Sequence, residues 1–154
     1  MKNPTTVERK SDREMVVTRT FDAPARIVFE AWTRPELFKQ WWAPRSMGMK
    51  LDSCHMDVRV GGSYRLVFAG GGEFFGRYLE VTPPSRLVWT NEESGDAGPV
   101  TTLTFEEKGG KTLLVLHELY PSKEALDAGG GAADALDEMF GQLDELLATP
   151  QAAR

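Results

Sequence analysis

The side chains able to do bond chemistry are few. His55 and His117 are the only imidazoles in the chain, and Cys54 is the only thiol. Acid–base work near neutral pH usually needs an imidazole. His117 precedes Glu118 in a stretch that reads as a strand, so the two side chains point to opposite faces and form no local dyad. Cys54 and His55 fail as a metal pair for the same reason, and no ligand spacing links them to His117. Ser46, Ser53, Ser63 and Ser85 lack the Gly-x-Ser-x-Gly setting of a nucleophile elbow. The clusters Gly61-Gly62, Gly70 to Gly72 and Gly129 to Gly131 fit neither phosphate-binding pattern and read as turns or breaks. Asp57 and Arg59 share a strand face and read as a structural pair. No catalytic residue is assigned. Neither metal nor cofactor is expected, and the residues lean against an enzyme.

The alternative chemistry is recognition of an apolar molecule. Strand parity puts Tyr64, Phe68, Phe75, Trp89, Leu103 and Leu116 on inward faces, where they line a pocket or simply fill a core. Met139, Phe140 and Leu143 come from the apolar side of a long helix near the C-terminus. Of the neighbours Trp41 and Trp42, pointing about 100° apart on a helix, Trp41 is expected to lock its helix to the sheet. Trp42 either does the same or stacks on an aromatic ligand. Arg77 shares parity with Phe75 and Leu79. Read as inward, it would anchor a carboxylate or phenolate; otherwise it lies in solvent or pairs with Glu80 or Asp57.

The elements that position these groups follow from periodicity and punctuation. Residues 1–12 are polar and charged, and read as a flexible tail. Met15 to Phe21 reads as a strand. Phe21 to Pro44 then holds two short helices: Asp22 is a capping residue before Pro24, Thr33 a second cap before Pro35, and Pro44 a stop. Met47 to Val60, Ser63 to Ala69, Phe74 to Thr82, Arg86 to Asn91, Val100 to Glu107 and Thr112 to Leu119 read as antiparallel strands. The triple glycine separates a short turn from a main helix, Ala132 to Thr149, whose acidic residues form a solvated face. Residues 150–154 fray. Helices segregated against one antiparallel sheet give an α+β two-layer domain.

The bulk numbers agree with one domain. The chain has 154 residues, close to the commonest domain size, and a formal net charge of -5. That balance disfavours nucleic acid and anionic membranes as partners. No apolar run approaches the roughly 20 residues that span a bilayer, and the first residues have no signal-peptide core. A single cysteine suits a reducing compartment. Cytoplasmic location is expected.

Several separated motifs resemble one family. FDAP, AWTRPELFKQWWAP, MDVRVGGSYRL, Gly76-Arg77-Tyr78-Leu79-Glu80, TPPSRLVWT, TFEE and GKTLLVLHELYPSKEA match, in order and spacing, the bacterial homologues of the activator of heat-shock-protein-90 ATPase. That family lies in the START-like, SRPBCC superfamily. The resemblance implies a helix-grip fold over residues 13–149: a curved antiparallel sheet of six to seven strands, two short helices and one long C-terminal helix. It also implies a cavity between sheet and last helix. Members of the superfamily include ligand binders, cyclase-like enzymes and co-chaperone domains, so the fold does not fix the activity. The family's last helix usually carries a Gly-Trp pair. Here Glu138-Met139-Phe140-Gly141 stands in that region, and Met139 or Phe140 fills the tryptophan's volume.

The expected function is binding of a small hydrophobic or aromatic ligand by a monomer or homodimer. A chaperone partner is the first alternative. The second is a cyclase-like enzyme in which Arg77, His117 or Tyr64 polarises an oxygen.

Overall fold

The computed structural model describes residues 5–43, 48, 51–92, 98–129 and 132–148, except for the side chains of 128, 129 and 132–135. Its strands are β1 (Thr6–Arg9), β2 (Glu14–Phe21), β3 (Leu51–Met56), β4 (Ser63–Phe68), β5 (Glu73–Thr82), β6 (Arg86–Thr90), β7 (Val100–Lys108) and β8 (Lys111–Leu119). Its helices are α1 (Ala25–Thr33), α2 (Pro35–Trp41), α3 (Lys123–Gly129) and α4 (Ala132–Leu147). All strands pair antiparallel in one curved sheet ordered β1-β2-β8-β7-β6-β5-β4-β3. The α+β architecture is as expected, but the sheet has eight strands rather than six to seven.

The added strand lies in the expected tail. β1 pairs with β2 from Thr6↔Thr18 to Arg9↔Met15. All four of its residues are exposed. A strand that buries nothing leaves no hydrophobic alternation to read. Backbone hydrogen bonds hold it, and Arg9 adds a 2.7 Å ion pair to Asp127 on α3. The expected turn before the triple glycine is the seven-residue α3, where Ser122 Oγ accepts the Ala125 N–H at 3.1 Å. Gly130, Gly131, Pro44 and Pro150 lie outside the described residues.

Both helices start about where expected, but their caps differ from the sequence reading. The residue at the cap of α1 is Pro24, which makes no side-chain cap bond, and Asp22 two residues earlier pairs with Lys111 at 3.5 Å. The Ala25 N–H instead donates to Glu107 Oε1, from β7, at 2.9 Å. Thr33 does not cap α2, because its hydroxyl donates back to Phe29 O at 2.9 Å. Pro35 begins α2 as expected, its missing N–H costing nothing there. Both helices bury an aromatic face. Trp32 and Trp41 are almost wholly buried and meet at 4.7 Å between ring centroids.

The β7–β8 hairpin turns on Gly109 and Gly110, at φ 61° and 80°. Two consecutive positive φ values suit glycine at little steric cost.

Three polar attachments fix α4. Gln142 Nε2 donates to Trp41 O at 2.9 Å and to Ala43 O at 3.0 Å. The Ala43 N–H meets Met139 Sδ at 3.0 Å. Arg19, on the inner face of β2, is 4% exposed. Its guanidinium donates to Thr5 Oγ1 at 2.7 Å, pairs with Asp137 at 3.4 Å and pairs with Asp144. The acidic face of α4 is therefore only partly solvated: two of its carboxylates close over a buried arginine.

Candidate functional site

The concave face of the sheet divides into two regions along its strands. In the first, Val17, Leu116, Leu103 and Leu87 stand opposite one another on β2, β8, β7 and β6, each 3% exposed or less. Phe21 and Phe140 meet edge to face at 5.6 Å beside them. This is closed core, and Leu143 belongs to it at 0% exposure.

The second region begins one inward row away. Met15, Glu118, Thr101, Trp89 and Tyr78 stand opposite one another on β2, β8, β7, β6 and β5. Thr101 and Tyr78 are buried, but Met15, Glu118 and Trp89 are not fully covered although they point inward. Cys54 and Met56 face the same way, opposite Leu66 and Tyr64, and are also half-buried. Phe74, opposite Leu66, is 39% exposed. These side chains point inward and are still only partly covered.

A polar chain crosses this second region. Tyr64 Oη donates to Thr90 O at 2.7 Å and lies 3.3 Å from Asn91 Oδ1. Asn91 Nδ2 donates to Pro99 O and to Thr101 Oγ1, both at 2.9 Å. The Thr101 hydroxyl donates to Glu118 Oε2 at 3.1 Å, and Tyr120 Oη donates to Glu118 Oε1 at 2.9 Å. Burial and the neighbouring Glu118 carboxylate push the Tyr120 phenol well above its ordinary pKa, so it stays protonated and donates. Burial pushes the Cys54 thiol up to about 11, which keeps it unreactive at neutral pH.

Aromatic rings form the wall beside this chain. Trp32 has Trp42 and Trp89 each at 5.9 Å and Phe140 at 6.3 Å. Trp42 is half-buried and stacks on Phe38 at 5.0 Å. Trp41 is fully buried, and its Nε1 donates to Ala31 O at 3.0 Å, the locking role expected of it. Phe140 is buried against Phe21, Trp32 and Trp41, while Met139 is tied to Ala43.

The eleven residues singled out from the sequence fall in three places. Trp42, Tyr64, Phe68 and Trp89 lie on or beside the half-open region. Leu103, Leu116, Met139, Phe140 and Leu143 lie in the closed core. Phe75 and Arg77 are on the outer face, opposite Arg65 and Ser63. Arg77 does not project inward: it is 62% exposed and pairs with Glu92 at 3.0 Å. The error is one of phase. β5 turns Phe74, Gly76 and Tyr78 inward, Gly76 has no side chain to reveal the parity, and two adjacent phenylalanines fit either phase. A Cβ on Gly76 would stand 2.1 Å from Thr90 O, so glycine is required there. His117 also faces outward, 2.9 Å from Glu14. Its hydrogen bond draws the Glu14 carboxyl below its ordinary pKa.

The sequence reading missed Asn91, Thr101, Glu118, Tyr120 and Arg19. Glu118 was within reach, since it shares parity with Leu114 and Leu116 on β8. Tyr120 was too, since it shares that parity and its partner Glu118 is two residues away, whereas Asn91 and Thr101 depend on neighbouring strands and Arg19 on α4. Among the described residues no group of three potential ligands could hold a metal ion, and no helix is long and apolar enough to cross a membrane.

A curved antiparallel sheet closed by a C-terminal helix, with a half-open aromatic interior, defines a START-like protein of the helix-grip type. The model of the Activator of Hsp90 ATPase homolog 1-like family matches residues 22–148, so the chain belongs to that family. A crystal structure of a Rhodobacter sphaeroides protein is 27% identical with a TM-score of 0.85, over 94% of this chain and 98% of that one. A solution structure from Staphylococcus epidermidis is 28% identical with a TM-score of 0.76, over 92% and 93%. Protein Ms6760 of Mycobacterium smegmatis, at 23% identity and a TM-score of 0.82, covers 95% and 99% and shares the fold. Among curated protein sequences, none matches.

Proposed function

We propose that this protein binds a small hydrophobic, chiefly aromatic molecule between the concave face of its sheet and α4. The observation that carries the reading is the row Met15, Glu118 and Trp89, which points inward and yet reaches solvent. Burying those surfaces against a ligand would gain about 25 cal/mol per Å² of apolar area. The polar chain supplies the few oriented groups that small-molecule sites usually carry in an apolar lining. A cyclase-like enzyme built on Arg77, His117 and Tyr64 has less support, because only Tyr64 faces the interior.

A thermal-shift screen of lipids, flavonoids, aromatic polyketides and bile-acid-like molecules tests the proposal. A ligand at 100 times its dissociation constant stabilises by about 2.7 kcal/mol, a readily visible rise in the unfolding midpoint. A hit class among flat aromatics is the expected result. Uniform silence would contradict the reading and turn attention to a chaperone partner, tested by adding this chain to a heat-shock-protein-90 ATPase assay.

A further inference from the structure

The Trp32 indole Nε1 is buried and has no hydrogen-bond partner among the described residues. Trp32 as a whole is only 2% exposed. Leaving a buried donor unsatisfied is costly, and native structures seldom do so without a reason. Its nearest tryptophan neighbour shows the ordinary solution, since Trp41 Nε1 donates to Ala31 O at 3.0 Å. Trp32 differs in lying against the two half-exposed tryptophans, Trp42 and Trp89, with Trp89 in the half-open row itself.

We infer that Trp32 Nε1 is a ligand-binding donor, and that the site takes a flat aromatic molecule that bears an acceptor oxygen and no negative charge, such as an aryl ketone. The inference rests on the ligand-binding reading above and adds the ligand's chemistry. An indole N–H can only donate, so the ligand must supply an acceptor. The ring systems of Trp42 and Trp89 give flat surfaces for an aromatic body. Negative charge is excluded on two counts. Glu118 on the same inner face repels a carboxylate or phenolate. The buried cation among the described residues, Arg19, is already engaged by Asp137 and Asp144.

Three matched probes test this: α-tetralone, tetralin and a tetralin carboxylate, titrated into the ¹⁵N-labelled protein. The Trp32 indole resonance is assigned by triple-resonance spectra. The ketone is expected to bind about tenfold tighter than the hydrocarbon, equivalent to about 1.4 kcal/mol. It should move the Trp32 Nε1–H resonance downfield, and the carboxylate should bind more weakly than either. Trp32→Phe should erase the preference for the ketone over the hydrocarbon, with the two binding alike. If that variant does not fold, the wild-type indole shift and the ketone-to-hydrocarbon ratio decide alone. Equal binding of ketone and hydrocarbon with a stationary indole resonance would overturn the inference and leave the ligand-binding reading standing. Binding of none of the three, alongside a silent thermal-shift screen, would overturn both.

Discussion

The two regions of the concave face are built from the same strands and differ by one inward row. The row of Val17, Leu116, Leu103 and Leu87 is closed, aliphatic and nearly without exposure. The row of Met15, Glu118, Thr101, Trp89 and Tyr78 mixes aromatic, polar and acidic groups and keeps three members in reach of solvent. One sheet thus serves as core along one row and, in the proposed function, as a recognition surface along the next. Aliphatic groups gain most from complete burial, whereas hydroxyls and a carboxylate keep their value where a partner or water can still reach them.

The largest effect should come from breaking the closed side. Phe140→Ala removes a fully buried ring that meets Phe21, Trp32 and Trp41. It should cost about 4 kcal/mol in urea unfolding. Arg19→Ala should cost about 3 kcal/mol, because it leaves Asp144, itself largely buried, without its cation. Loss of that clasp should also speed amide exchange in α4 and β1.

Smaller effects should come from the half-open side. Tyr64→Phe deletes the hydroxyl that donates to Thr90 O and should cost about 1 kcal/mol. Its effect on ligand affinity should exceed its effect on stability, which compares titrations with unfolding curves for the same variant. The smallest effect belongs to the outer face. Arg77→Ala removes a solvent-exposed pair with Glu92 and should change stability by less than about 0.5 kcal/mol, with ligand affinity unchanged. A large affinity loss on Arg77→Ala would erase the distinction between the inner and outer faces.

Much of this arrangement was legible in the sequence. The alternation of Tyr64, Leu66 and Phe68 on β4 gave the correct face, and all three are buried. The stripe of Leu136, Phe140 and Leu143 gave the inner side of α4. What was not legible has identifiable causes. β1 is exposed throughout and carries no apolar signal. Gly76 hid the parity of β5 and sent Phe75 and Arg77 to the wrong face. The caps of α1 and α2 come from Glu107 on β7 and from backbone geometry, not from the adjacent polar residues. Arg19 reads from the sequence as an ordinary strand arginine, and only the fold brings Asp137 and Asp144 to it across more than a hundred residues of chain.

The most direct test of the central claim is amide chemical-shift mapping of the ¹⁵N-labelled protein with the tightest binder from the thermal-shift screen. The account predicts perturbations concentrated at Met15, Trp42, Tyr64, Trp89, Thr101 and Glu118, with Val17, Leu103 and Arg77 little moved. Perturbations centred instead on Phe75, Arg77 and His117, across the outer face of the sheet, would contradict it.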